Sequence, residues 1–354
     1  LEALENSELT YEKKHELNIG VAFGFVDNRI NVEFDWYRRN NFDLIGFTQT
    51  MGVGGVTTKL ANDATMQSTG CEFTISTTNI KTKDFKWTTD WIFGWAENTI
   101  TKLDSRSQVY ELVNGFGRTE GRPIGALYSI PFAGLTEEGL PTFYIDAEHT
   151  QIAGPDNYDA IYFQEYENVD YLKYEGSIDP TITGSFGNTF SWKGLKLNVF
   201  FTYSFGNVLR LDDLCPVYSS DYSDLTASMK EMKNRWMVPG DEQLTTIPSI
   251  PTVRQMREIN ALNNAYSAYN YSTERVAKGD FIRLKELSLA YDLPKKVFEG
   301  QKAVSSFGVK LSATNIWLAY ADKKLNGRDP EYYNSGGVSS PVPRQFTLTV
   351  KLGF

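Results

Sequence analysis

The strongest constraint on this sequence is a regular alternation of apolar and other side chains that returns many times along the chain. From Leu17 to Phe25 every second residue is a large apolar one, and Asn, Gly and Ala lie between them. The same alternation runs from Phe346 to Phe354, with Thr, Lys and Gly at the intervening positions. A period of two indicates a β-strand with two different faces, because a helix repeats every three to four residues. The sequence therefore predicts an all-β fold.

Composition excludes several other classes of protein. Of the 354 residues, 41% are hydrophobic and 14% aromatic, which is too rich in aromatics for a disordered chain. The longest nearly apolar stretch, from Ile19 to Val26, is far shorter than the roughly 20 residues of a transmembrane helix. A net charge of -9 argues against a nucleic-acid partner, because phosphates repel an acidic surface.

Two all-β architectures compete for this pattern. A soluble β-sandwich, here one that binds glycans, has strands of about five or six residues and short connections at both ends. A transmembrane antiparallel β-barrel has longer strands and alternates short turns with long loops. The strands here run about ten to sixteen residues. Short connections at 26–28, 80–84 and 191–194 contrast with about 75 residues between Phe205 and Gly279. The barrel is the better interpretation, and the sandwich is the alternative.

One strand breaks the alternation. In the segment from Phe281 to Tyr291 the apolar residues change parity near Lys285 and Glu286. A β-bulge inserts one extra residue into a strand and so restores the register. The sequence predicts a bulge at this position.

An ordered series of short motifs runs through the rest of the chain. It comprises Gly121-Arg122-Pro123-Ile124-Gly125, Gly139-Leu140-Pro141, Gly184-Ser185-Phe186-Gly187-Asn188, Arg235-Trp236 with Pro239-Gly240-Asp241, Phe281-Ile282-Arg283-Leu284-Lys285, Asp329-Pro330-Glu331 and Pro343-Arg344-Gln345-Phe346. In order and spacing this series resembles the SusC/RagA-type TonB-linked outer-membrane proteins of Bacteroidetes. Each motif alone is weak, but the ordered set is specific.

The resemblance implies a 22-stranded barrel in the outer membrane, of which residues 1–354 form about ten C-terminal strands. All of the chain then belongs to one barrel domain, and 205–279 is a long extracellular loop. The plug domain and the N-terminal strands lie outside this chain. Two of the ten strands are expected near 124–132 and 142–145.

The resemblance also fixes an orientation, because barrels of this kind end on the periplasmic side. The periplasmic turns are then 26–28, 80–84, 192–194 and 294–305, and the extracellular connections are 45–67, 99 to about 180, and 205–279. The terminal Phe354 resembles the signal that the barrel-assembly machinery reads. It also fits an aromatic belt at the membrane surface.

The function implied by the resemblance is active import of oligosaccharides or oligopeptides, energised through TonB. The implied partners are the N-terminal part of the same transporter, TonB by way of the plug, a SusD-like surface lipoprotein that acts as a lid, the barrel-assembly machinery and membrane lipid. A dimer of such transporter–lid pairs is also compatible with it. The alternative is a passive pore or adhesin without energy coupling. No cofactor is expected.

Catalytic and metal sites have little support in the sequence. His15 and His149 stand in no metal-ligand spacing, and the pair Asp212-Asp213 is better explained as a solvated loop charge. The residue types that stand out are loop aromatics, namely Tyr218, Tyr222, Trp236, Tyr266, Tyr269 and Tyr271. Such side chains can stack on a substrate, dock the lid or pack the loop itself. The three interpretations remain open at this point.

Overall fold

The computed structural model describes residues 8–50, 52, 55, 57–214, 230–298, 304–333 and 343–354. The strands are β1 (Lys13–Phe25), β2 (Ile30–Gln49), β3 (Thr58–Lys81), β4 (Phe85–Leu103), β5 (Ala126–Ser129), β6 (Phe132–Leu135), β7 (Pro141–Tyr144), β8 (Ile152–Ala153), β9 (Lys173–Ser177), β10 (Ile182–Trp192), β11 (Leu195–Phe205), β12 (Val208–Arg210), β13 (Val276–Lys278), β14 (Phe281–Asp292), β15 (Ser306–Ala321) and β16 (Gln345–Gly353). The α-helices are α1 (Val109–Val113), α2 (Val253–Glu258) and α3 (Leu262–Asn270). Among the described residues, no helix has the length and apolar character needed to cross a membrane.

Within these ranges, nine long strands form one antiparallel sheet. Its order is β1-β2-β3-β4-β10-β11-β14-β15-β16, so each long strand pairs with the next long strand along the chain. Strands β1 and β16 are the two edges, and the sheet is an open wall rather than a closed barrel. The strands reach 24 residues in β3, which is longer than the alternation alone predicts.

The two extra barrel strands expected near 124–132 and 142–145 are a wrong prediction. Strands do form there, but β5 pairs with β9 and β7 pairs with β6 and β8, in two small separate sheets. The long strand β4 pairs directly with β10, so no place is left between them. The main sheet therefore has nine described strands, against about ten expected.

The apolar face of this sheet is covered by no other part of the described chain. The pairing places Leu197, Leu289, Leu311 and Leu348 opposite one another in one row across four strands. Leu289, Leu311 and Leu348 are 46%, 54% and 67% exposed. An apolar patch of this extent is not stable in water, which identifies the face as the one that meets lipid.

The opposite face of the same strands is polar. The neighbouring row contains Asn198, Ser288, Ser312 and Thr347, again paired across four strands. Because side chains alternate between the faces of a strand, one wall presents leucine on one side and hydroxyl or amide groups on the other. This is the pattern of a barrel with a hydrated interior.

The bulge predicted near Lys285 is confirmed. In the pairing of β14 with β11, Leu284 is opposite Phe201 and Glu286 is opposite Phe200, so Lys285 has no partner. The pairing of β14 with β15 shifts between the same two residues, Leu284 and Glu286. The extra residue lets the apolar side chains on both sides of it remain on the lipid face.

Connections of different length lie at the two ends of the sheet, which we call the turn end and the loop end. The turn end carries the tight connections after β1, β3 and β10 and the longer one after β14. The loop end carries the remaining connections between the long strands, which follow β2, β4, β11 and β15. The expected extracellular connection at 45–67 is much shorter in the structure, because β2 continues to Gln49 and β3 begins at Thr58.

The described residues of the two longest connections, 104–181, 206–214 and 230–280, pack against each other, and we call them together the loop body. Its core contains residues from both connections, including Val109, Leu140, Phe143, Tyr158 and Ala265. All five are fully buried. The loop body is thus a folded unit with its own apolar core, set at the loop end of the sheet.

Candidate functional site

Two of the loop aromatics singled out from the sequence lie inside the core of the loop body. Tyr266 and Tyr269, both on α3, are 4% and 1% exposed. The Tyr266 hydroxyl donates to the carbonyl oxygen of Ser249 at 2.7 Å. The Tyr269 ring packs edge-on against Phe132, with ring centroids 5.7 Å apart. Their burial favours the packing interpretation, because a buried ring cannot stack on a substrate without rearrangement.

Trp236 is half-buried and joins the two halves of the loop body. Its ring lies so close to Gly139 that a Cβ built on that glycine would meet Trp236 Cδ2 at 2.4 Å. Its Nε1 donates to Glu242 Oε2 at 3.1 Å. Gly139 also has a positive φ of 75°, so glycine suits this turn for both reasons. Replacement of Gly139 by a larger residue would displace the indole ring.

Tyr271 is half-buried at the edge of the same core. Its ring packs edge-on against Phe163 at a centroid distance of 5.8 Å, and the guanidinium of Arg210 lies 5.9 Å from the ring centroid. Burial is the main cause that raises the pKa of the Tyr271 hydroxyl. Tyr218 and Tyr222 lie outside the described residues. Contact of any of these aromatics with a substrate or a lid stays a prediction.

A buried arginine that the sequence did not single out holds the loop body together. Arg210, at the end of β12, donates to the carbonyl oxygens of Val113 at 3.1 Å, Tyr128 at 2.5 Å and Ser272 at 3.0 Å. It also donates to Ser129 Oγ at 3.1 Å. Burial lowers the pKa of this guanidinium to about 10, so the group stays charged at neutral pH. One side chain of β12 thereby forms hydrogen bonds with α1, with β5 and with the segment after α3.

Two further buried arginines form ion pairs, Arg275 within the loop body and Arg283 between the sheet and the connection 322–333. Arg275 donates to Glu231 Oε2 and to the carbonyl oxygen of Asp212, each at 2.6 Å. Arg283, on β14, pairs with Asp329. These pairs could not be predicted from the sequence, because the partners are 44 and 46 residues apart.

The acidic pair Asp212-Asp213 takes part in the same network. The Asp212 carboxylate pairs with Arg328, and burial is the main cause that raises the pKa of Asp213. Asp212 therefore takes part in an ion pair, and Asp213 is partly removed from water. Among the described residues, no cluster of three or more His, Cys, Asp or Glu side chains is placed to hold a metal ion.

A cavity of about 450 Å³ lies at the loop end, where β2 and β3 meet the loop body. Its charged groups include Asp63, Glu111 and Arg118, and the aromatic rings of Phe116 and Tyr166 also line it. The Asp63 side chain is almost fully buried and lies 3.5 Å from Arg118 Nη1. Ser105 Oγ donates to Asp63 Oδ2 at 2.8 Å. Sequence reasoning missed this site, because Asp63 sits at a register shift that the alternation does not reveal.

The remaining predicted residue, Phe354, follows the last strand and is 89% exposed. It continues the apolar face of β16, on which Phe346, Leu348, Val350 and Leu352 are also exposed. This position at the turn end is compatible with both interpretations of the terminal aromatic. Its recognition by the assembly machinery stays a prediction.

Comparison with known proteins gives consistent matches over the whole chain. No family model matches the sequence. The TonB-dependent receptor P3 of Formosa agariphila is 26% identical over 376 residues, covering 99% of this chain and 35% of that protein. SusC of Bacteroides thetaiotaomicron, a TonB-dependent receptor, is 34% identical over 99 residues, covering 28% of this chain and 10% of that protein.

Solved structures agree with these relatives. The RagAB peptide transporter matches with a TM-score of 0.73 and 25% identity, covering 99% of this chain and 36% of that chain. The RagAB peptide importer in its closed-closed state matches with a TM-score of 0.74 and 26% identity over the same share of both chains. The resemblance drawn from the motifs is confirmed, and the chain spans about a third of the length of these proteins. The chain is therefore similar, over 99% of its length, to TonB-dependent receptors of the SusC/RagA type, and its place is the outer membrane.

Proposed function

We propose that the protein to which this chain belongs imports oligomeric nutrients across the outer membrane, energised through TonB. The observation that carries this proposal is the match of 99% of the chain, in sequence and in fold, to TonB-dependent receptors and to a peptide importer. The nine-stranded wall, apolar on one face and polar on the other, supports it. This function is transport and requires no catalytic group.

The substrate class that we propose is oligosaccharides or oligopeptides. The oligopeptide arm is supported by the RagAB match at 25% identity over 99% of the chain. The loop body, which covers the loop end of the wall, then faces the cell exterior, and a SusD-like lipoprotein closes over it as a lid. TonB acts through the plug, and the N-terminal strands complete the barrel. In this arrangement the turn end faces the periplasm.

A transport assay tests the proposal. In a strain that lacks the chromosomal gene, expression of the full-length receptor is expected to restore uptake of labelled oligopeptides or labelled oligosaccharides. The uptake should be lost when the TonB gene is deleted or when an uncoupler removes the proton gradient. Uptake that persists without TonB would indicate a passive pore instead, and no uptake of either class would contradict the proposal.

A further inference from the structure

The turn end of the wall is strongly basic, although the whole chain carries a net charge of -9. Its segments 26–29, 81–86, 191–196, 292–310 and 351–354 together contain eleven Lys or Arg residues and four Asp or Glu residues. The rest of the chain therefore carries an excess of negative charge. A concentration of one sign of charge at one end of a molecule favours a partner of the opposite sign.

Two neighbouring turns bring four of these lysines together. Lys83 lies in the turn between β3 and β4, and Lys86 is the second residue of β4. Lys193 lies in the turn between β10 and β11, and Lys196 is the second residue of β11. All four are exposed, and they line one cavity of about 300 Å³, which we call the turn cavity. A space of this size can admit a phosphate group together with the glycerol that carries it.

Backbone hydrogen bonds hold the turns around the turn cavity in place. The N–H of Lys193 donates to the carbonyl oxygen of Asp84 at 3.1 Å, which joins the two turns. The N–H of Asp292 donates to the carbonyl oxygen of Gly194 at 3.0 Å, which joins the second turn to the end of β14. The lysine side chains thus start from a fixed backbone, so a ligand would not have to order the turns when it binds.

The turn cavity contains more ammonium groups than carboxylates. Its carboxylates are those of Asp84 and Asp292. Lys193 Nζ is 3.9 Å from Asp84 Oδ2, and the two side chains are 58% and 55% exposed. A long, exposed pair of this kind contributes little to stability. Within the described ranges, Lys83, Lys86 and Lys196 form no ion pair, so their charges are available to an anion.

The turn cavity also borders the face of the sheet that meets lipid. Phe85 and Trp192, which are opposite each other in the pairing of β4 with β10, both line it. The Trp192 side chain is 55% exposed, and Lys193 Nζ lies 5.7 Å from the centroid of its ring. On the next strand Tyr291 is 43% exposed. Exposed aromatic rings at the end of a barrel wall lie at the depth of the lipid headgroups, so these lysines are placed at the level of the phosphates.

We propose that the turn cavity binds the headgroup phosphate of an anionic glycerophospholipid, whose acyl chains lie along the apolar face of the wall. Charge complementarity and continuity with the lipid-facing surface identify this occupant. A zwitterionic phospholipid carries an ammonium group that the lysines repel, and a free phosphate ion leaves the neighbouring apolar face uncovered. The proposed function enters only through the orientation, which assigns the site to the periplasmic leaflet.

Native mass spectrometry of the purified full-length receptor in detergent tests the proposal. The probes are phosphatidylglycerol and phosphatidylethanolamine with identical acyl chains, added in equal amounts. We expect phosphatidylglycerol to remain bound in preference to phosphatidylethanolamine. The triple variant Lys83→Gln, Lys193→Gln, Lys196→Gln should bind its tightest phosphatidylglycerol about tenfold more weakly, because each lysine near an anionic headgroup contributes to the attraction. High salt should weaken binding to the unsubstituted receptor as well.

The matched control is the triple variant Lys59→Gln, Lys102→Gln, Lys173→Gln, which removes the same charge from exposed lysines outside the turn end. Its affinity for phosphatidylglycerol should stay unchanged. The altered mobility of unheated gel samples shows whether each variant is folded. As an independent readout, a phosphatidylglycerol with a photoreactive group in its head is irradiated with the unsubstituted receptor in vesicles. The label is expected within 82–86 or 192–196.

Equal binding of the two phospholipids, or an equal loss of affinity in both triple variants, would overturn the proposal. So would displacement of the lipid by an equal concentration of inorganic phosphate, which would mean that the site takes a free anion. If the photoreactive lipid labels other parts of the chain and leaves both turns unlabelled, the turn cavity is not the site. Lipid binding is measured without transport, so its failure would leave TonB-dependent uptake as a separate result, and loss of uptake would leave the lipid site standing.

Discussion

Replacement of Leu311 by arginine is expected to destabilise the folded receptor in a lipid bilayer by about 2–4 kcal/mol, because a charged side chain at the lipid-facing centre of a barrel strand loses its hydration. Leu311 is paired with Leu289 on one side and with Leu348 on the other, and it is 54% exposed on the apolar face. The measurement is a urea titration of the full-length receptor reconstituted in vesicles. The folded fraction is read from its altered mobility in unheated gel samples.

The matched control is Ser312→Arg, one residue along the same strand. Ser312 lies on the polar face, opposite Ser288 and Thr347, where a long basic side chain can reach water. We expect this variant to keep its urea midpoint near that of the unsubstituted receptor. Equal destabilisation by both arginines would mean that the two faces of β15 do not meet different solvents, and the barrel interpretation would fail.

The second large effect is expected at Arg210. Replacement by methionine keeps much of the side-chain volume but removes donors that reach three buried carbonyl oxygens and Ser129 Oγ. A buried acceptor that loses its partner costs about 1–3 kcal/mol. Because several buried acceptors lose their donor at once, we expect the free energy of unfolding of the loop body to fall by about 3 kcal/mol. Proteinase K added to whole cells should then cut the loop body roughly a hundredfold faster, because cleavage follows the population of the opened state.

The control for this experiment is Arg254→Met. Arg254 pairs with Glu258 at 2.8 Å, but the two side chains are 82% and 60% exposed. An exposed pair of this kind contributes at most about 0.5 kcal/mol, so the cleavage rate should hardly change. If Arg210→Met and Arg254→Met are cut at the same rate, Arg210 does not hold the loop body together.

The wall of the barrel could be predicted closely from the sequence, because its signals are local. Alternation alone places the strand from Phe346, and a change of parity places the bulge at Lys285. The positions of the strand ends are predicted less accurately. β2 and β3 extend well into the predicted loop 45–67, since pairing between strands continues where the apolar alternation has stopped.

The loop body could not be predicted, because its order arises from contacts between segments far apart in the sequence. Short strands such as β5 resemble barrel strands in sequence, yet β5 pairs with β9, about fifty residues later. The burial of the loop aromatics also depends on contacts with distant segments. Nothing local distinguishes a buried tyrosine such as Tyr269 from an exposed one, and Arg210 gains its role only from carbonyl groups of other elements.

This chain forms a wall of an outer-membrane barrel, with lipid on one face and a hydrated lumen on the other. The most direct test is a nitroxide scan of positions 309–314 in β15, one label at a time, in the full-length receptor reconstituted in bilayers with its other cysteines replaced. We expect the accessibility of the labels to repeat with a period of two residues. Labels at 309, 311 and 313 should collide mainly with oxygen, which concentrates in lipid, and labels at 310, 312 and 314 mainly with a water-soluble nickel complex or with packed protein. Uniform accessibility to the nickel complex, or the opposite phase, would contradict it.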